Sequence, residues 1–144
     1  MAIKRFTVKE AEDAARLLLL DTDENAYRFE PKEIHAAMVD AIERIRLERP
    51  ASRYVGGILV DLRFIQISDG GQIDTSTIVD SPPADYGNVT DVETFRERHV
   101  DMERRWLPAV VNYVVHRMYL KDDPDTSNAE LANSYLTKSE RLMV

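Results

Sequence analysis

Two prolines bracket the segment that most constrains this chain. Between Pro31 and Pro50, Ile34, Met38, Ala41 and Ile45 recur at helical spacing, widened by Ala37 and Ile42. Lys32, Glu33, Asp40, Glu43, Arg44 and Glu48 fall on the other side. An apolar stripe with a charged back suits a helix that lies on a core and wets its outer face. Pro31 stands at the first helical position, where its missing N–H does no harm. Arg49, before Pro50, is steered out of the helical region. The pattern predicts a helix over about 31–48.

Thr7-Val8-Lys9-Glu10 has the form of a capping box, a hydroxyl with a carboxylate three residues on. Val8, Ala11, Ala15 and Leu18 follow at helical spacing and predict a helix over about 7–20, broken by Asp21-Thr22-Asp23-Glu24-Asn25. Residues 54–79 are rich in β-formers, and strands are expected near 62–68 and 72–79. Asp69-Gly70-Gly71 supplies the turn of that hairpin, at about 62–79, because glycine accepts the positive φ a tight turn needs. Residues 81–88 are a loop by composition, and 88–101 admit either a short helix or an extended run.

Trp106-Leu107-Pro108 opens a helix over about 107–121 that is apolar nearly all round, through Val110, Val111, Val114, Val115 and Met118. Ser127-Asn128-Ala129-Glu130 fits a second capping box, for a helix over about 127–142 with Leu131, Tyr135 and Leu142 on one face and Ala132 and Leu136 beside them. The short link makes these two helices antiparallel neighbours. The expected fold is mainly α: a small helical bundle of three to four helices with an inserted β-hairpin arm, in one domain over 1–144.

The formal charge is −7 and the isoelectric point about 5.0. Nucleic-acid binders carry a basic face, so acidity argues for solubility and repulsion of phosphates. With no cysteine, disulfides, thiolate metal sites and cysteine nucleophiles are excluded. Lys4 and Arg5 run into Glu10 and Glu12 too early for a signal-peptide apolar region, and the longest apolar run, Leu17-Leu18-Leu19-Leu20, is far short of a membrane span. A soluble chain made in a reducing cytoplasm is expected, with no membrane contact.

Chemistry is sparse. His35, His99 and His116 share no i, i+4 spacing and read as surface or partly packed residues. Asp21-x-Asp23-x-Asn25 copies the start of an EF-hand loop, but Ala26 and Lys32 stand where glycine and glutamate are required; a solvated helix terminus is the better reading. Gly56-Gly57 and Gly70-Gly71 lack the further residues of a phosphate loop and read as turn glycines. Arg96, Arg98, Arg104 and Arg105 are interleaved with Glu93, Glu97, Asp101 and Glu103, so that stretch is close to neutral. Trp106 and Tyr113 suit an interface and a core equally. No catalytic residue, metal or cofactor is assigned, and a non-enzymatic role is expected.

Three stretches resemble a known family. Met38-Val39-Asp40-Ala41-Ile42-Glu43-Arg44-Ile45-Arg46-Leu47-Glu48-Arg49-Pro50 is similar to the second helix of the head-to-tail adaptor (connector) proteins of tailed bacteriophages. The run from Trp106-Leu107-Pro108 through Tyr113 to Tyr119-Leu120-Lys121-Asp122 resembles their next helix, and Asn128, Ala132 and Tyr135 match positions of their closing helix. The resemblance covers about half the chain and rests on packing motifs.

It implies a structural subunit of the virion neck. Such subunits form a homo-oligomeric ring, often a 12-mer, between the portal protein and the next head-closure or tail protein. Double-stranded DNA passes non-specifically through the ring, and an acidic lumen lets it slide. The partner-binding candidates are Asp69, Gly70, Gly71 and Gln72 at the hairpin tip, Arg104, Arg105 and Trp106 before the third helix, and Leu142, Met143 and Val144 as an apolar end expected to be exposed. The alternative is a helical interaction or regulatory module with no virion role.

Overall fold

Thr7 starts the first helix as its capping box predicts: its side chain accepts from the Glu10 N–H at 3.1 Å. The computed structural model describes residues 4–23, 25–68, 71–74, 82, 89–121 and 126–143. In chain order the elements are β1 (Phe6–Thr7), α1 (Val8–Leu19), α2 (Pro31–Glu48), a 3-10 turn (Pro50–Arg53), β2 (Tyr54–Val55) and β3 (Ile58–Leu59). Then come β4 (Phe64–Ile67), β5 (Ile73–Asp74), α3 (Val89–Arg96), β6 (His99–Val100), a 3-10 turn (Arg104–Trp106), α4 (Leu107–Lys121) and α5 (Thr126–Leu142). The fold is mainly helical with a small antiparallel sheet, as the patterning requires.

α4 is the axis of the bundle. It packs against α1, α2 and α5, and Val110, Val114, Val115 and Met118 are fully enclosed. The α2 stripe lies on it as predicted, with Ile34, Met38, Ala41, Ile42 and Ile45 all at 0% exposure. Arg117 of α4 meets Asp40 of α2 at 3.3 Å, and the Arg44 guanidinium lies 5.3 Å from the Tyr113 ring. These two helices therefore run antiparallel. The α4–α5 pair is antiparallel too: His116 Nδ1 bonds Ala132 O at 2.6 Å, and Ser139 Oγ donates to Ala109 O at 2.8 Å.

Two helical faces differ from expectation. In α1 the buried stripe ends on Leu19, not Leu18, and it contains Glu12 and Arg16. In α5, Leu131 and Leu142 are exposed, while Ala132, Tyr135 and Leu136 pack inward as expected, Tyr135 stacking on Tyr119 of α4, and Ser139 and Met143 complete that face. Small side chains at Ala132 and Ser139 let the two backbones approach closely enough for the cross-helix bonds just described, so close packing outweighs the larger apolar side chains in choosing the face.

Residues 89–101 resolve into both readings, a helix followed by a strand, while residue 88 and most of the expected loop before it lie outside the described residues. β6 lies between β1 and β4 in the sheet order β1-β6-β4-β5. Val100 is paired with Phe6 on one side and Phe64 on the other, and all three are buried. The predicted hairpin exists as β4–β5, with Gly71 at φ 78 and Ser68 N donating to Gln72 O at 2.8 Å. Its first strand is held inside the sheet, with Phe64 and Ile65 buried, so only the part beyond Gln66 projects. The expected strand residues 75–79 lie outside the described residues. A second, smaller hairpin, β2–β3, turns on Gly56 and Gly57 at φ 58 and 80, the two positive values of a type I′ turn.

Candidate docking surfaces and a buried ionic cluster

The molecule has an exposed apolar group at each end of its bundle. Leu47 is in the last turn of α2, and β2–β3 follows it directly after the 3-10 turn. Arg49 Nε donates to Met143 O at 3.0 Å, bringing the end of α5 to the same place. Leu47, Tyr54, Ile58, Leu59 and Leu142 are all exposed there, Leu47 at 72% and Ile58 at 69%. Tyr54 and Leu59 are a cross-strand pair on the outward face of the hairpin. At the other end, α1 finishes with Leu17, Leu18 and Leu20 exposed, and α4 finishes with Leu120 at 53%.

Leu20 stands out. It caps α1 at φ 57 and ψ 37 and is 89% exposed. A side chain with a Cβ is strained there, which is why glycine dominates this position. Leu20 accepts the strain and buries almost nothing within the chain.

The residues predicted to bind partners are scattered. Gly71 and Gln72 are exposed at the β4–β5 turn, while Asp69, Gly70 and Val144 lie outside the described residues. Arg104 pairs with Glu10 of α1, and Arg105, 61% exposed, lies over the Trp106 ring at 4.8 Å. Trp106 is a core residue at 6% exposure. Met143 is 2% exposed and packs into the core, so the apolar end expected to be open is folded inward at that residue, leaving Leu142 outside.

Titratable side chains gather inside, between α1, the start of α2 and α3. Glu12 of α1 is 1% exposed. Arg16 Nε donates to its Oε2 at 2.9 Å, and Arg96 donates from Nε to Oε1 at 2.9 Å and from Nη2 to Oε2 at 2.8 Å. His35 Nε2 lies 2.6 Å from Oε1 and carries the shared proton toward the carboxylate. Burial pushes the Glu12 carboxyl upward, but the bonds from His35, Arg96 and Arg16 outweigh it and hold the group well below the usual carboxylate range.

Arg16 extends the cluster to Asp21 at 2.8 Å and to Phe29 O at 3.0 Å, with its guanidinium 3.6 Å from the Tyr27 ring. Asp21 accepts the N–H groups of Arg28 and Phe29 at 2.8 and 3.1 Å. Asp21 is thus not on a solvated terminus: its carboxylate closes the loop between α1 and α2. His35, too, is wholly buried and not at the surface, and Arg96 and Arg98 are built into the structure.

The cluster was missed in the sequence because Glu12 and Arg16 look like an ordinary surface pair. The available signal was their place: an i, i+4 pair set inside the buried stripe of Val8, Ala11, Ala15 and Leu19. On its acceptor side the cluster is saturated, every oxygen of Glu12 and Asp21 being bonded to chain donors, while Arg16 Nη2 is buried without a hydrogen bond. The cluster joins three helices. Among the described residues no group of three or more His, Asp or Glu is disposed to hold a metal ion, and no helix is long and apolar enough to cross a membrane.

No protein-family pattern matches this chain, no curated protein matches it, and no solved structure matches its fold.

Proposed function

We propose that this chain is a structural subunit of a tailed-phage head-to-tail connector, one of several identical copies forming a ring between the portal and the next neck or tail protein. The observation that carries the reading is the pair of exposed apolar ends at opposite poles of the bundle, Leu17, Leu18, Leu20 and Leu120 at one and Leu47, Tyr54, Ile58, Leu59 and Leu142 at the other. A link between two partners needs a contact surface at each pole, and exposed apolar groups of this kind mark protein contacts.

Three further features support it. The segments that resemble the adaptor family are α2, α4 and α5, the helices that build the bundle. Net charge of −7 on each copy favours a lumen from which duplex slides freely. The ionic cluster ties α1, α2 and α3 into a rigid unit, which suits a part that works by shape.

The test is assembly of the full chain, followed by negative-stain microscopy and native mass spectrometry, alone and with purified portal rings. Closed rings of one rotational order that seat on the portal are the expected result. A protein that stays monomeric at high concentration and ignores the portal overturns the proposal and leaves the interaction-module reading.

A further inference from the structure

Among the described residues Arg98 is a buried cation without an anion. It follows α3 and precedes β6, and it is 8% exposed. Its backbone is committed on both sides: its N–H donates to Phe95 O at 3.0 Å and its carbonyl accepts from Val8 N at 2.9 Å. The chain therefore holds the side chain where it is. The other buried arginines have partners. Arg16 is bound by Glu12 and Asp21, and Arg46 donates to the carbonyls of Leu62 and Asp101 at 2.6 and 3.1 Å. Arg98 has no such partner among the described residues, and its Nη1 is buried without a hydrogen bond. Nη1 is closed to solvent, whereas Nε and Nη2 are not among the buried unpaired atoms, so an outside anion would reach the guanidinium through those two N–H edges and supply the counter-charge that the described residues do not.

The same arginine lines a cleft of about 130 Å³, with Gln66 and Ile67 of β4, Thr94 of α3, and Glu97. We propose that this cleft is a carboxylate-binding site in which Arg98 supplies the counter-charge. Size sets the class of ligand. The volume is well below the roughly 300–1,000 Å³ of nucleotide and cofactor pockets, so a small ligand is the fit. Shape points the same way, because a planar guanidinium matches the two oxygens of a carboxylate. Charge narrows it further. Glu97 also lines the cleft, and the single Arg98 cation neutralises one negative charge, so a dianion such as phosphate would leave its second charge without a counter-ion. Ile67 offers apolar contact to the ligand's carbon chain.

A carboxylate of this kind has two sources: a small free acid, or an Asp or Glu side chain of a second copy of this acidic chain, which carries 26 of them. The site stands on Arg98 and its cleft and does not depend on the connector reading.

The test is an amide-resolved magnetic resonance titration of the full chain. In dilute protein, sodium acetate replaces sodium chloride at constant ionic strength. Saturable shifts at Ile67, Thr94 and Arg98 are expected with acetate, weaker ones with phosphate and none with chloride. Arg98→Met should weaken acetate binding by roughly tenfold or more, and Arg98→Lys, which keeps the charge and loses the fork, should fall between. In a second arm no acid is added and protein concentration is raised. The same amides shift, and acetate reverses the shift, if a second copy is the source; a concentration-independent spectrum assigns the site to a free acid. Absence of saturable shifts in the wild type, or an Arg98→Met protein that still binds acetate normally, overturns the proposal. Should Arg98→Met fail to fold, wild-type acetate affinity retained in Arg98→Lys overturns it equally.

Discussion

Arg96 grips the Glu12 carboxylate with two parallel bonds, 2.9 Å from Nε and 2.8 Å from Nη2, across 84 residues of chain. Burial and geometry make this the strongest polar link between α3 and α1. Removing its carboxylate leaves Arg16 with Asp21 and Arg96 with Glu93 but takes away the one anion between them, at a site where Glu12 is 1% exposed. Glu12→Ala is expected to cost about 3–5 kcal/mol, as breaking one side of a buried ion pair does. Urea unfolding followed by circular dichroism measures it; a loss below about 1 kcal/mol, the range of surface pairs, would show that the cluster is solvated.

Acid should weaken the fold in two separate windows. His116 is held below the ordinary histidine value by burial, so the native state takes up its proton later than the unfolded chain does. Its contribution is intact above about pH 6.5 and is lost as pH falls below that value. His99, also lowered by burial, adds to the same window. Glu12 is held low, so its contribution is intact above the ordinary glutamate value of about 4.3 and is lost as pH drops from there toward the folded-state value. Urea midpoints measured from pH 8 to pH 3 should show both steps. His116→Gln should flatten only the upper step, and Glu12→Gln only the lower.

Leu20 and the β2–β3 hairpin separate stability from assembly. Leu20→Gly relieves a left-handed backbone and should raise stability by about 1 kcal/mol, since the side chain it removes is 89% exposed. The same change should reduce seating on a partner at that pole. A stabilised variant that assembles as well as the wild type would remove Leu20 from any contact.

At the opposite pole, Ile58→Ser with Leu59→Ser should leave the urea midpoint nearly unchanged, within about 0.5 kcal/mol for exposed sites, and should abolish ring formation or partner binding in the microscopy assay. Intact rings from this double variant would place the contact elsewhere.

The register of α5 on α4 can be read by size. Ala132 is at 0% exposure and its carbonyl bonds His116, so Ala132→Leu should cost about 1–3 kcal/mol by overpacking. Leu131→Ala, one residue away and 43% exposed, should lie near neutral. The reverse order in thermal melts would restore the face that hydrophobicity alone suggests.

Much of the helical framework could be read from the residues, and the reasons differ by element. α2 was legible because its stripe is uninterrupted and two prolines mark its ends. The first cap was legible because Thr7 and Glu10 need only each other. The α5 face was legible only in part: Ala132, Tyr135 and Leu136 pack inward as expected, but Leu131 and Leu142 do not, because Ala132 and Ser139 set how closely the two backbones approach, which hydrophobicity does not report. The ionic cluster was hidden for a related reason: Arg96 and Glu12 are far apart in sequence, and nothing local says that they meet. The β2–β3 turn was visible in Gly56-Gly57, but strands of two residues are too short for any periodicity. As for the docking residues, glycine and charge pointed to the β4–β5 tip, whereas among the described residues the most exposed large apolar side chains are Leu20, Leu47 and Ile58.

The pairing of Phe6 with Val100 has a consequence for how the protein is born. A ribosome releases the first strand and α1 long before β6 and Arg96 emerge, so the opening helix must wait with Glu12 unclamped and its apolar flank uncovered. Closure of the sheet is therefore a late event that joins distant parts of the chain, and such closures are slow. Nascent chains stalled before residue 96 should engage chaperones, and release of that engagement should coincide with the arrival of α3.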